Sequence, residues 1–228
     1  MIILIKLAGF LFLFILFLYL ILLPALGYKA EIGDSDAELQ KINDDPKKFQ
    51  ISIGLALIHN VIVITLTIML FIVFGPPYNI ILGIVWTIFR IGEGLILSYN
   101  DKNYGSLLNI SRKYSDTSGA EKSSLSDLAR TITKTKSSRF DFAMIFWSIG
   151  TLAFSIMLVT YGVVPPLIGW LGIVASIFVG FADGIKFVKP NAIDSKVFKV
   201  LFSIGGLVAI LFEVLIGGWL LFFSIITP

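Results

Sequence analysis

Cysteine is absent from this sequence of 228 residues, and histidine occurs once, as His59. Without cysteine there is no disulfide, no thiolate nucleophile and no iron–sulfur cluster, and one histidine excludes haem held by two histidines and the usual zinc sites. The sequence also has no HExxH run, no nucleophile elbow and no paired metal-binding carboxylates. We therefore expect no enzyme, no catalytic residues, no metal and no cofactor.

Charge is also scarce, since 14% of the residues are charged while 57% are hydrophobic, and the mean hydropathy is +0.92. A chain this apolar is typical of an integral membrane protein. The net charge is +3, but the basic residues flank apolar runs and do not form a cluster, so nucleic acid is not an expected partner. We predict one all-helical transmembrane domain over residues 1–228, with the lipid bilayer of the cell membrane as its surroundings.

Six apolar runs are long enough to span a bilayer as helices. They predict a six-span bundle with spans at about 2–26, 51–74, 80–98, 140–161, 165–187 and 200–223. Tight turns at 75–79 and 162–166 join the second span to the third and the fourth to the fifth. An alternative for the first span is a cleaved secretory signal, because Ala25-Leu26-Gly27 resembles a cleavage site.

Two polar segments between the spans have helical features of their own. In loop 1, Asp34-Ser35-Asp36 is a helix start and Pro46 a break, which predicts a short surface helix with solvated acids and no calcium loop. Loop 3 contains eight basic residues from 102 to 139. Within it, apolar residues at helical spacing predict an interfacial amphipathic helix: Leu125, Leu128, Ala129 and Ile132.

The third span contains two charges that are costly in a membrane. Arg90 and Glu93 are three residues apart, so they share a helix face and can pair. His59 and Asn60 interrupt the second span, and the turn at 75–79 brings them to a depth similar to that of Arg90. His59 and Arg90 are therefore candidates for contact, directly, through Asn60 or through water.

Small residues recur at intervals of four in the last two spans, a pattern that lets helix backbones approach closely in lipid. In the fifth span they are Gly172, Ser176, Gly180 and Gly184; in the sixth they are Gly205, Ala209 and Gly217, with Glu213 on the same face. We predict that these two faces pack together and turn Glu213 inward. Asp183 and Lys186 are expected to form a pair at the membrane interface.

Several short motifs, in order and spacing, are similar to those of a known family. They are Ile42-Asn43 with Pro46 and Phe49, Phe89-Arg90-Ile91-Gly92-Glu93, Pro166 with Trp170-Leu171-Gly172, and Glu213 ahead of Trp219-Leu220. Over most of its length the sequence resembles an uncharacterised family of prokaryotic multi-span membrane proteins that is known as a conserved domain of unknown function. The resemblance implies a polytopic membrane fold and no established activity.

Two arguments about orientation disagree. Of the 18 basic residues, removing Lys6 and Arg90 leaves 16, and all of these fall on or beside loops 1, 3 and 5. The positive-inside rule then places those loops in the cytoplasm and both termini outside. The resemblance implies termini inside, because family members carry basic residues at the N-terminus, in the tight turns and after the last span. This chain lacks basic residues in both tight turns and at 224–228.

The polar residues in the spans have three interpretations. The first is a structural network in which Arg90, Glu93, Glu213, His59 and Asn60 fix the register of the bundle. The second is a site that binds or transports a small polar molecule, a lipid headgroup or a proton, with Arg90 as anion clamp and Glu213 or Glu93 as counter-ion or proton carrier. The third is an accessory subunit that packs against other membrane subunits, or a homo-oligomer.

Overall fold

The computed structural model describes residues 1–28, 34–189 and 195–223, and within these ranges it contains helices and no strand. The fold class predicted from the sequence is confirmed. Parts of loops 1 and 5 and the residues after the sixth predicted span lie outside the described ranges, at 29–33, 190–194 and 224–228. The helices are α1 (Ile2–Phe17), α2 (Leu23–Ala25), α3 (Ser35–Asp44), α4 (Pro46–Tyr78), α5 (Ile80–Tyr104), α6 (Leu107–Asp116), α7 (Gly119–Thr160), α8 (Pro166–Val188) and α9 (Lys196–Gly218). Two π-helical turns, Leu18–Leu22 and Trp219–Phe223, follow α1 and α9.

Six helical stretches in the described ranges are long and apolar enough to cross a membrane, which confirms the six predicted spans. They are Ile2–Ala25, Pro46–Tyr78, Ile80–Asp116, Gly119–Thr160, Pro166–Val188 and Phe198–Phe223. The second, third and fourth extend well beyond the predicted limits. The apolar runs define the parts that lipid can cover, whereas the helices continue into polar sequence.

The predicted turn at 75–79 is nearly all helix. α4 continues through Pro76 and Pro77 to Tyr78, so that Asn79 alone separates it from α5. The last turn of α4 is held by ring packing, because Tyr78 lies 6.1 Å from Phe74 and 5.7 Å from Tyr161 between ring centroids. Asn79 begins α5 by accepting a hydrogen bond from the backbone N–H of Leu82 at 3.0 Å.

The chain divides into two compact units. The first unit comprises Met1–Phe17, Val61–Gly94 and Asp141–Pro228, and the second comprises Leu18–Asn60 and Leu95–Phe140. The apolar core of the first unit contains side chains from α1, α4, α5, α7, α8 and α9. Its largest fully buried side chains include Phe74 of α4, Phe154 of α7 and Phe212 of α9. α1 adds Ile5 and Phe12 to the same core.

The small residues of α8 and α9 contact several neighbours in the first unit. α8 packs extensively on α9, and Gly205 lies against Phe178. Gly172 instead approaches Ser155 of α7 as well as Phe212 of α9, and Gly180 approaches Ser148 of α7. Gly217 lies against Phe12 of α1, while Gly184 has open space. Ala209 is half-buried, and the Ser176 hydroxyl donates to the carbonyl of Gly172 at 2.7 Å.

Gly9 makes the closest backbone approach in the first unit. A Cβ at this position would meet the backbone of Leu221 and would lie 2.7 Å from the carbonyl oxygen of Gly217. We expect Gly9→Ala to destabilise the protein by about 1–3 kcal/mol, because backbone atoms must move to admit the methyl group. Gly206→Ala is the control, since no atom lies within 4 Å of its Cβ position. Thermal unfolding in detergent measures both, and equal melting temperatures for the two variants would contradict this packing.

The second unit has a smaller core between α3, α6 and the polar ends of longer helices. Leu39 and Ile42 of α3 pack with Leu107 and Ile110 of α6, and all four are buried. The predicted helix start is confirmed, because Asp34 accepts a hydrogen bond from the N–H of Asp36 at 2.9 Å. α3 is therefore a packed element of this unit and more than a solvated surface helix.

The amphipathic segment predicted in loop 3 is helical, but it is the first part of α7 and continues into the fourth span. No glycine or proline occurs from 120 to 149, so nothing in the sequence ends the helix. Leu125, Ala129 and Ile132 pack on the core of the second unit, whereas Leu128 is exposed. The apolar positions thus face protein along most of this segment.

Candidate functional site

The first candidate site is built around the Arg90 guanidinium of α5 in the first unit. Its Nη1 lies 2.5 Å from Oε2 of Glu93, one helical turn further along, and both residues are 4% exposed. The predicted pairing of these two residues is present. Arg90 Nε has no hydrogen-bond acceptor among the described residues, so the guanidinium retains a donor for a second acceptor.

Two tryptophans enclose the guanidinium. Its Cζ lies 5.3 Å from the ring centroid of Trp86 and 6.0 Å from that of Trp147, distances at which cation–π attraction acts. Gly150 of α7 makes room for the arginine, since a Cβ there would lie 2.9 Å from Arg90 Cγ. The aliphatic part of Arg90 thus lies against the backbone of α7.

Glu213 of α9 joins this group through Trp147, whose Nε1–H donates a hydrogen bond to Oε1 of the glutamate at 3.2 Å. Glu213 also interacts electrostatically with Arg90 and with Glu93. We call Arg90, Glu93 and Glu213 the Arg90 cluster. It contains two carboxylates and one guanidinium, so ionisation of all three groups leaves one uncompensated negative charge in an apolar interior.

His59 and Asn60 belong to the second unit, where they contact another carboxylate. Asn60 Nδ2 donates to Oδ2 of Asp101 at 2.9 Å, and His59 Nδ1 lies 3.2 Å from Oδ1 of Asn60. The Tyr28 hydroxyl donates to the other carboxylate oxygen of Asp101. The candidate contact between His59 and Arg90 stays a prediction, since the two residues lie in different units.

Lys136 of α7 is a buried cation of the second unit. Its Nζ lies 4.0 Å from the ring centroid of Tyr28 and 3.7 Å from that of Tyr104, and the residue is 2% exposed. It interacts electrostatically with Asp101 and with Glu38, which accepts a hydrogen bond from the Tyr104 hydroxyl at 2.8 Å. We call Lys136, Asp101 and Glu38 the Lys136 cluster.

A third cluster lies in the first unit, around Lys186 of α8. Lys186 Nζ is 3.2 Å from Oδ1 of Asp141 and 3.8 Å from Oδ1 of Asp183. The rings of Phe202 and Phe198 lie 4.4 and 6.0 Å from the ammonium group. The pair that the sequence predicts between Asp183 and Lys186 is therefore present, but it is buried and includes a second aspartate.

The three clusters share one composition. Each places a buried cation between two aromatic rings and beside two carboxylates: Arg90 with Trp86 and Trp147, Lys136 with Tyr28 and Tyr104, and Lys186 with Phe198 and Phe202. The attraction of each cation to the aromatic rings compensates for part of the hydration free energy that the cation loses on burial. In each cluster the carboxylates named here outnumber the cation by two to one.

Sequence reasoning missed Asp101, Lys136 and Glu38 because they lie in stretches that are polar in sequence. A polar stretch predicts solvent exposure, whereas these three side chains are 2–6% exposed. One signal was available, since Tyr28 and Tyr104 are large aromatic residues in otherwise polar segments. Such aromatics are typical of a local core.

Comparison with known proteins gives one match. The sequence model of a family described as a domain of unknown function, DUF4386, matches residues 7–223. No curated protein and no solved structure matches the chain. The match covers five of the six predicted spans completely and most of the first, and it confirms the resemblance seen in the sequence motifs.

Proposed function

We propose, given that this chain belongs to the family described as a domain of unknown function (DUF4386), that it is a multi-pass protein of the cell membrane that binds and releases a proton in its interior. The binding site is the Arg90 cluster. The protein is no enzyme in this proposal, and proton binding serves transport or sensing across the bilayer.

One observation carries the proposal: two carboxylates accompany one guanidinium in the Arg90 cluster, in which Arg90 and Glu93 are buried and Glu213 is half-buried. An uncompensated charge in a low-dielectric interior is costly, so one carboxyl group gains free energy by taking up a proton. The charged groups that interact with Glu213 are Arg90 and Glu93 of α5, while Trp147 of α7 donates its hydrogen bond. Among the described residues, Arg90 is the cation that interacts with both glutamates, and a proton is the smallest ligand that neutralises the remaining negative charge.

The competing interpretation is a structural network that never changes its protonation. A single ion pair between Arg90 and Glu93 would be enough to fix the register of α5. A purely structural pair does not need a second carboxylate, such as that of Glu213. This surplus favours the proton-binding function over a structural role.

The accessory-subunit interpretation predicts that Arg90 or Glu213 points away from the bundle. Arg90 is buried, and Glu213 is half-buried and hydrogen-bonded to Trp147. This arrangement supports a protein in which the charged side chains of the spans find their partners within the same chain. Contacts with other membrane subunits or with a second copy stay a prediction.

Counting protons tests the proposal. The purified protein in detergent micelles is moved from about pH 8.5 to about pH 5.5, a range in which exposed glutamates stay ionised, and a pH-indicator dye reports the protons taken up. We expect the wild type to take up about one proton per molecule more than Glu213→Gln. A glutamine keeps the size of the side chain but cannot titrate.

Glu121→Gln is the matched control, because Glu121 is an exposed glutamate in the first turn of α7. We expect its proton uptake to equal that of the wild type. If Glu213→Gln also takes up as many protons as the wild type, while remaining folded, the Arg90 cluster binds no exchangeable proton and the structural interpretation stands.

A further inference from the structure

We propose that the small cavity beside His59 in the second unit is a site for one water molecule, through which His59 and Asp101 exchange a proton. The site lies in the second unit and is independent of the Arg90 cluster. It therefore goes beyond the function proposed above, and its test does not involve Glu213.

The cavity has the size and the lining of a water site. Its volume is about 20 Å³, and a single water needs about 10–15 Å³ and two to four polar partners. Polar groups of four different segments line it, together with Leu23, Ala56, Leu97 and Phe140: Tyr19, Tyr28, His59, Asn60 and Asp101. A water molecule in it has hydrogen-bonding partners on several sides.

Hydrogen bonding fixes which nitrogen of His59 exchanges the proton. The amide of Asn60 must present its Nδ2 donor to the Asp101 carboxylate, because a carboxylate oxygen accepts. Asn60 Oδ1 is then the acceptor that faces His59 Nδ1 at 3.2 Å, so Nδ1 carries a hydrogen atom. Nε2 is therefore the nitrogen that gains and loses a proton.

The charges of the Lys136 cluster also leave a place for one proton. Asp101 and Glu38 carry two negative charges against one positive charge on Lys136, so an imidazolium at His59 makes the group neutral. Burial raises the pKa of the Tyr28 hydroxyl, and the charge of Asp101 raises it further, so Tyr28 stays a neutral donor. Among the described residues, the titratable and charged groups around Asp101 are Tyr19, Tyr28, Glu38 of α3, His59 of α4, Tyr104 of α5 and Lys136 of α7.

The exchange step transfers, in net, one proton from His59 to Asp101. The N–H bond at Nε2 of the imidazolium breaks as the water accepts that proton, and the water passes another of its protons to a carboxylate oxygen of Asp101. The imidazolium and the carboxylate become a neutral imidazole and a carboxylic acid, and the water is regenerated. The reverse step restores both charges.

Nuclear magnetic resonance of histidine tests the site directly, because the chain has one histidine and gives one set of ring signals. The protein is labelled with ¹⁵N- and ¹³C-histidine and is studied in detergent micelles. Where the imidazole is neutral, we expect ¹⁵N shifts that place the proton on Nδ1. A proton on Nε2 instead would overturn the proposal.

Two variants separate the relay from a merely structural role. Asp101→Asn replaces a carboxylate, which can only accept, by an amide that can also donate, so Asn60 is no longer held in one orientation and we expect His59 to become a mixture of both tautomers. Ala56→Val fills the cavity, and we expect magnetisation transfer from water to the His59 ring to fall at least tenfold. Asp127→Asn and Ala120→Val are the controls at exposed positions of the same unit.

Unchanged tautomers in Asp101→Asn, or unchanged water transfer in Ala56→Val, would overturn the proposal. If Asp101→Asn does not fold, Asn60→Leu replaces it, since this variant removes the amide oxygen that faces His59 Nδ1. A tautomer shift in Asn60→Leu supports the relay, and its absence counts against it. Proton counts at Glu213 are unaffected by any of these results.

Discussion

Replacing Arg90 by methionine is expected to lower the free energy of unfolding by about 3–5 kcal/mol, because the substitution leaves the buried Glu93 and the half-buried Glu213 without their cation. Methionine retains most of the aliphatic volume that lies against Gly150. The expected loss therefore comes from charge and not from a cavity. Tryptophan fluorescence during unfolding in detergent reports it, since Trp86 and Trp147 enclose the guanidinium.

The control for this prediction is another pair with the same spacing. Arg130 and Asp127 are also three residues apart, their closest atoms are 3.8 Å apart, and both side chains are 71% exposed. Exposed pairs contribute about 1 kcal/mol or less, so Arg130→Met is expected to be nearly neutral. Equal losses in Arg90→Met and Arg130→Met would contradict the account.

A combined variant identifies the cause of the loss. Adding Glu93→Gln and Glu213→Gln to Arg90→Met removes the two carboxylates that lack a cation. Because replacing a complete buried ion cluster is often neutral, we expect most of the lost stability to return. A triple variant as unstable as Arg90→Met alone would mean that packing, not charge, explains the effect of Arg90.

Replacing Lys136 by methionine is expected to have a comparable effect, about 3–5 kcal/mol, in the second unit. Asp101 and Glu38 then lose their shared cation, and the rings of Tyr28 and Tyr104 lose the ammonium group between them. Because Glu38 is the link between Tyr104 and α3, this helix should lose protection first. Hydrogen–deuterium exchange with mass spectrometry measures the uptake of α3 and α6 separately from that of the first unit.

Lys134→Met is the matched control, two residues away on the same helix and exposed. We expect deuterium uptake in α3 to match the wild type in this variant. Similar uptake in Lys136→Met and Lys134→Met would contradict a buried cation that holds the second unit together.

The sequence predicts the spans well because a single property, the length of an apolar run, determines them. A run of apolar residues long enough to cross the bilayer has no other stable surroundings, and all six runs form helices. The helix ends are less well predicted. Pro76 and Pro77 suggest a turn, but packing of the Tyr78 ring extends α4 past them.

The candidate site is predicted in part, for a similar reason. A charge inside an apolar run is conspicuous, so Arg90, Glu93 and Glu213 are found from the sequence. The i,i+3 spacing also predicts the contact of Arg90 with Glu93. The partners of His59 and Asn60 are not predictable in this way, because Asp101 becomes buried through contacts distant in sequence, with Tyr28 and Asn60.

Infrared difference spectroscopy measures the central claim most directly, because a protonated carboxyl group in an apolar interior has its own C=O stretching band. Spectra of the membrane-reconstituted protein are recorded from about pH 8.5 to about pH 5.5, with and without ¹³C-labelled glutamate. We predict a glutamate band that appears with acidification, is lost in Glu213→Gln and in Glu93→Gln alike, because either change leaves one carboxylate for one guanidinium, and persists in Glu121→Gln. A wild type without this band, or a band that survives in Glu213→Gln, would contradict proton binding at the Arg90 cluster.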